Sequence, residues 1–246
     1  TRRQRQMCIR DRHINYMKIK LSILSLILIT PFLGNNLGNI LFTKDVDDFN
    51  KDNKDNIEIF DVNSYVLESF KKYNKNIKIK TVKKFIEVCD SFKINKNIKT
   101  LTAQICLESG AKQSLNGKTL ESSGNALGIS QVTPYTAYLF FKNVISKNDK
   151  LLNQLGGSDY KNILITNDSK LRRKKVQKWL CNETNNLIMY GYLMNHCIIK
   201  YGGLKNSLVV YSKGPYFLRK SLKSNVKLDT LHYISSIKKI EKTLTN

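Results

Sequence analysis

The sequence predicts a mainly α fold: one globular domain behind an N-terminal apolar segment and a polar linker. Three observations carry this. From about residue 63 onward, apolar residues recur at helical spacing, while alternating strand patterns are few. Helix punctuation is dense, with Thr133-Pro134 as a start signal and Gly110 and Gly202-Gly203 as stops. The length, 246 residues, suits one good hydrophobic core with an appendage.

The N-terminal quarter is read apart from the fold. Residues 1–16 precede Met17 and are expected to be a non-native or untranslated leader. Met17-Lys-Ile-Lys20 followed by the apolar run Leu21–Ile29 has the pattern of a signal peptide or N-terminal anchor over 17–36. The run is short for a transmembrane helix, and without an obvious small-residue cleavage site an uncleaved anchor through 21–33 stays open. Residues 37–62 hold seven acidic residues from Asp45 to Asp61 among Asn and Lys, a composition expected for an acidic flexible linker. The domain is then 63–246.

Within it, Tyr65, Val66, Phe70 and Tyr73 mark a first helix. Thr81 is expected to cap a second, carrying Val82, Phe85, Ile86, Val88 and Phe92. Residues 98–107 read as a half-buried helix with Ile98, Leu101, Ile105 and Leu107 on or near one face. A Gly-rich loop spans 110–132, with room for a small hairpin in 111–127. A helix from Pro134 and a loop or short-helix insertion over 148–168 with Gly156-Gly157 follow. Further helices are expected near 169–181, 184–201, 204–212, 216–224 and 230–243, the last capped by Asp229.

Glu108 falls in the last turn of the 98–107 helix, just before Ser109 and Gly110. There the negative helix end and apolar neighbours both disfavour a charge, which raises a carboxyl pKa. A carboxyl kept protonated near neutral pH can donate a proton to a leaving group. Most glycosidases place two carboxylates about the scissile bond. Only Glu121, in the loop, offers itself as a second, and it is the weaker candidate; Glu183 reads as an N-terminal helix charge.

Glu108-Ser-Gly110 is followed by GISQVTPYTA at 128–137, NNLIMYGYL at 185–193, YSKGP at 211–215 and Asp229-Thr-Leu-His-Tyr233. In this order the blocks resemble the soluble lytic transglycosylase family, with its lysozyme-like domain, over about residues 82–240. The resemblance implies a lysozyme-like fold and a carbon–oxygen lyase of bacterial peptidoglycan. Glu108 would be the sole acid and then base, cleaving the β-1,4 bond between N-acetylmuramic acid and N-acetylglucosamine and closing a 1,6-anhydro ring. No cofactor or metal is implied. Tyr211 would hydrogen-bond Glu108 and orient it. Gln131 would contact the sugar N-acetyl group or hold the loop, and Ser109 would fix the loop or the substrate. Ile129 would line the sugar cleft, Tyr233 would reach its floor, and Tyr192 would pack a helix pair. Four departures stand out. Ile129-Ser130 replaces Leu-Met and is expected to make the cleft wall more polar. Ser212 replaces Asn, Met189 stands where Gly is common, and Leu231 stands where Arg is frequent.

The net charge of +23, from 42 basic and 19 acidic residues, implies attraction to a polyanion. The lysines are dispersed, and the one dense run, Arg172-Arg-Lys-Lys175, reads as a solvated helix face. An export signal argues against nucleic acid and for peptidoglycan strands with their anionic polymers, in the periplasm or cell envelope. The family also serves secretion, conjugation and phage machinery. Cys89, Cys106, Cys181 and Cys197 admit two disulfides, though buried free thiols are the favoured reading; no spacing suggests a zinc site. Two alternatives stay open: a peptidoglycan hydrolase of the goose-type lysozyme kind, and a non-enzymatic basic protein binding wall polymer or another polyanion.

Overall fold

The computed structural model describes residues 61–147 and 149–245. The expected leader, signal or anchor and nearly all of the linker lie outside the described residues. The fold is mainly helical, as the apolar spacing predicts. Helix α1 (Val62–Tyr73) opens on Asp61, whose carboxylate accepts from the Asn63 N–H, so the last two residues of the expected linker belong to a helix start. Then come α2 (Ile79–Ser91), α3 (Ile98–Ser109), a two-stranded hairpin, α4 (Pro134–Asn143), the short α5 (Lys150–Gln154) and α6 (Lys161–Leu164), α7 (Ser169–Leu180), α8 (Glu183–Tyr201), α9 (Leu204–Lys213), α10 (Pro215–Lys223) and α11 (His232–Thr245).

Two helices form the interior. All six residues from Leu101 to Cys106 are buried, so α3 is enclosed on every side rather than half-buried as its sequence suggests. Both α1 and α11 pack against it. Residues Asn185 to Met194 of α8 are likewise buried, and α2 and α9 pack against that helix. The approach of α2 to α8 is close: a Cβ on Gly191 would lie 2.4 Å from the Phe92 ring. Tyr192 meets Phe92 edge-on at 4.6 Å, in the packing role expected of it.

Two expected caps are corrected. Helix α2 starts at Ile79 after Lys78, so Thr81 lies inside its first turn. Its hydroxyl donates to Glu183 at 2.5 Å and ties α2 to the start of α8. Asp229 does not cap the last helix but sits in the 3-10 turn Leu228–Thr230, where it pairs with Lys205 at 2.8 Å and Lys238 at 2.7 Å. The basic run on α7 is only partly a solvated face. Arg172 donates to the Thr166 carbonyl at 3.0 Å and stacks over Tyr138, and Lys175 donates to the Thr166 hydroxyl at 3.0 Å. These bonds fasten the 148–168 insertion, with help from Trp179 Nε1 to the Ser158 carbonyl at 2.8 Å. The four cysteines among the described residues are free thiols; Cys181 is exposed and the others are buried.

Candidate active site

Helix α3 ends where its sequence says it must. Gly110 adopts φ +60°, a conformation that suits a residue without a Cβ, and its N–H closes the helix on the Cys106 carbonyl. This places Glu108 in the final turn, at the edge of a cleft of about 500 Å³, within the usual range for a small-ligand site. Val209, Phe217, Leu231 and Ile234 supply apolar lining to the cleft. Gln131, Thr133, Tyr211, Ser212, Lys213 and His232 are among the polar groups that face it. Glu108 is the only carboxylate lining the cleft among the described residues. Glu121 is exposed, and its neighbour Ser122 faces the cleft instead.

Burial holds the Glu108 carboxyl above its ordinary range. A hydrogen bond from the Tyr233 hydroxyl to Oε1 opposes part of that rise. Tyr233 therefore takes the role that the sequence assigns to Tyr211. The Tyr211 hydroxyl donates to the Ser130 carbonyl, so its single proton is spent on the loop. Both rings line the cleft, and burial pushes both phenols well above their usual range.

The loop from 127 to 131 is held from three sides. Ser109 Oγ donates to the Ile129 carbonyl at 2.6 Å, fixing the loop as one of its two expected roles proposed. Gln113 Oε1 accepts from the Ile129 N–H at 2.8 Å, while its amide nitrogen donates to the Cys181 carbonyl at 3.0 Å. Asn186, fully buried on α8, accepts from the Ser130 N–H at 2.9 Å and the Ser130 hydroxyl at 2.6 Å, and donates to the Leu127 carbonyl at 2.8 Å. Gly128 lies between these amides with φ +73°. A Cβ there would come within 2.6 Å of both Asn186 Nδ2 and Gln113 Oε1. Gln131, at φ +53°, lines the cleft and donates to the Gly128 carbonyl at 2.8 Å.

Two expectations about this loop are corrected. Ile129 is fully buried in the core and does not line the cleft, because the bonds from Ser109 and Gln113 turn its side chain inward. Ser130 is also fully buried, and its hydroxyl serves Asn186 rather than making the cleft wall polar. Ser212 does face the cleft, as does Leu231.

Sequence reasoning misses Gln104, Tyr190, Gln113 and Asn186. Gln104 is a lone amide in an apolar run, a signal that was available; the others lie on buried or loop segments where only the tertiary fold reveals a partner. No metal-binding group of three or more His, Cys, Asp or Glu side chains occurs among the described residues. No protein-family model, no curated protein and no solved structure matches this chain.

Proposed function

We propose that this chain is a peptidoglycan lytic transglycosylase with a lysozyme-like domain, exported to the periplasm or cell envelope, that acts on the bond between N-acetylmuramic acid and N-acetylglucosamine. The observation that carries the reading is a single desolvated carboxyl, Glu108, alone of its kind in the cleft among the described residues and held by a tyrosine. A water-using glycosidase with an acid and a second carboxylate needs two such groups facing the bond. Among the described residues the cleft offers one, which suits chemistry in which the substrate supplies the second participant.

In the first half, protonated Glu108 gives its proton to the glycosidic oxygen as the bond to the anomeric carbon breaks. The muramic N-acetyl group meets the positive charge at that carbon. In the second half, the Glu108 carboxylate takes the proton of the sugar's own 6-hydroxyl, whose oxygen bonds to the anomeric carbon and closes the 1,6-anhydro ring. Glu108 ends protonated, and no water is consumed. A carboxyl whose pKa is raised by burial suits both halves, since it holds its proton until contact and takes one back readily. The basic surface favours a polyanionic wall as partner.

The test is mass spectrometry of muropeptides released from purified sacculi by the protein. Anhydromuramic ends are expected, and Glu108→Gln should release none. Reducing muramic ends would replace this reading with a hydrolase. Equal release by wild type and Glu108→Gln would remove Glu108 from the chemistry, and no release by either would favour a binding protein.

A further inference from the structure

Helix α3 buries a primary amide completely: Gln104 has no solvent exposure. Such a group is destabilising when its polar atoms lack partners. Gln104 finds its partners in two tyrosines from different helices. The Tyr190 hydroxyl on α8 donates to Oε1 at 2.8 Å, and Nε2 donates to the Tyr233 hydroxyl oxygen on α11 at 3.2 Å. Tyr233 in turn donates to Glu108 Oε1. Four side chains from three helices thus form one directed chain that ends on the cleft carboxyl.

The direction matters. A phenol has one proton. Because the Tyr233 oxygen accepts from Gln104, its proton goes to Glu108. With the amide turned round, the Gln104 oxygen would compete with Glu108 for it. Tyr190, donating to Oε1, keeps the amide oxygen on the far side. Every bond in the chain points toward the carboxyl, and bonds aligned this way polarise one another and favour the ionised form. Oε1 is occupied, which leaves Oε2 for a ligand.

We propose that Gln104 is a positioning residue for Glu108, acting through Tyr233, with Tyr190 fixing the direction of the chain. It rests on the reading of Glu108 as the acid and base. A base-competent carboxylate must form in a site where burial opposes it, and the aligned donors of the chain counter that burial. The other titratable groups near Glu108 are Tyr211 on α9 and, in the cleft, Lys213 and His232. None of these touches Gln104 in a hydrogen bond among the described residues.

The test titrates Glu108 itself. Carbon-13 NMR of the full chain with labelled glutamate, assigned by the signal missing in Glu108→Gln, gives its midpoint without any substrate. Gln104→Met keeps the volume and removes both bonds. Gln104→Met with Tyr190→Phe also removes the phenol left unpartnered, so it retains the fold if the single variant does not. The expected result is a Glu108 midpoint higher by on the order of one pH unit in both. Adding Gln104→Met to Tyr233→Phe should then give no further shift. An unmoved midpoint in the folded double variant, or an undiminished shift in the Tyr233→Phe background, overturns the proposal. A shifted midpoint in a protein that releases no anhydromuropeptides keeps the proposal and removes the reaction; activity with an unmoved midpoint does the reverse.

Discussion

The Tyr233 hydroxyl donates to Glu108 Oε1, joining the last helix to the end of α3 across 125 positions of sequence. The bond fixes one carboxyl oxygen and leaves the other for the cleft. It also makes the packing of α11 on α3 a condition of the site. Tyr233→Phe should therefore keep the fold, since Phe fills the same volume, and should lower the rate of sacculus clearing. Glu108→Gln removes the proton altogether, and a general acid is worth about 100- to 10,000-fold in rate. Turbidity of sacculi over time checks both, with Glu108→Gln expected to be the more severe.

The raised Glu108 pKa has a consequence for stability with a definite sign. The native protein holds this proton at pH values where an unfolded carboxyl, titrating near 4.5, has lost it. Stability from this group is thus full below that pH and is lost as pH rises through the higher folded value. Glu108→Gln carries no charge at any pH and keeps an amide oxygen for Tyr233. Its melting temperature should exceed that of wild type at pH 7, and the gap should close as the pH falls below 4.5. A constant gap across pH would mean that Glu108 is not desolvated in solution.

Local signals made much of this legible, and long-range packing hid the rest. Gly110, Gly202 and the Thr133-Pro134 pair mark helix ends by their own backbone chemistry, and each stands where its sequence puts it. The hairpin is similar: Asn116 and Gly117 both take positive φ in the two-residue turn between Ser114–Leu115 and Lys118–Thr119. Thr81 misleads because its hydroxyl serves Glu183, 102 positions away, and not its own helix. The exchange of roles between Tyr211 and Tyr233 has the same origin. Both tyrosines sit on helices that border the cleft, and only the packing of α11 on α3 decides which one reaches Glu108. Ile129 shows the ambiguity of an apolar residue in a loop, which fits a cleft wall and a core equally well until the backbone direction is known.

The basic surface gives a prediction separate from the chemistry. On α10, Arg219, Lys220 and Lys223 are exposed beside Tyr216, and none of the three has an ion-pair partner among the described residues. Changing all three to Gln should weaken pull-down on anionic sacculi and flatten its dependence on salt, because exposed charges act over a Debye length of about 10 Å at 0.1 M salt. Surface changes of this kind alter stability by only about 0.5 kcal/mol each. Retained pull-down, with unchanged salt dependence, would locate the attraction elsewhere on the protein.

Asn186 is the residue on which the cleft loop depends most. Its side chain accepts from both the N–H and the hydroxyl of Ser130 and donates to the Leu127 and Leu180 carbonyls, all in the interior. Asn186→Ala leaves the buried Ser130 N–H unpaired and takes one of two partners from the Ser130 hydroxyl and from the Leu127 and Leu180 carbonyls, at a cost on the order of 1–3 kcal/mol. Gly128→Ala attacks the same joint from the other side. It puts a Cβ within 2.6 Å of the Asn186 and Gln113 amides at a φ of +73°, and such overpacking costs about 1–3 kcal/mol. Because both changes break one set of bonds, the double variant should lose less stability than the sum of the two, as urea unfolding of the four proteins would show. Tyr211 should report the damage as well, since its acceptor is the Ser130 carbonyl in this loop. Additive losses would mean that Gly128 and Asn186 support the fold independently.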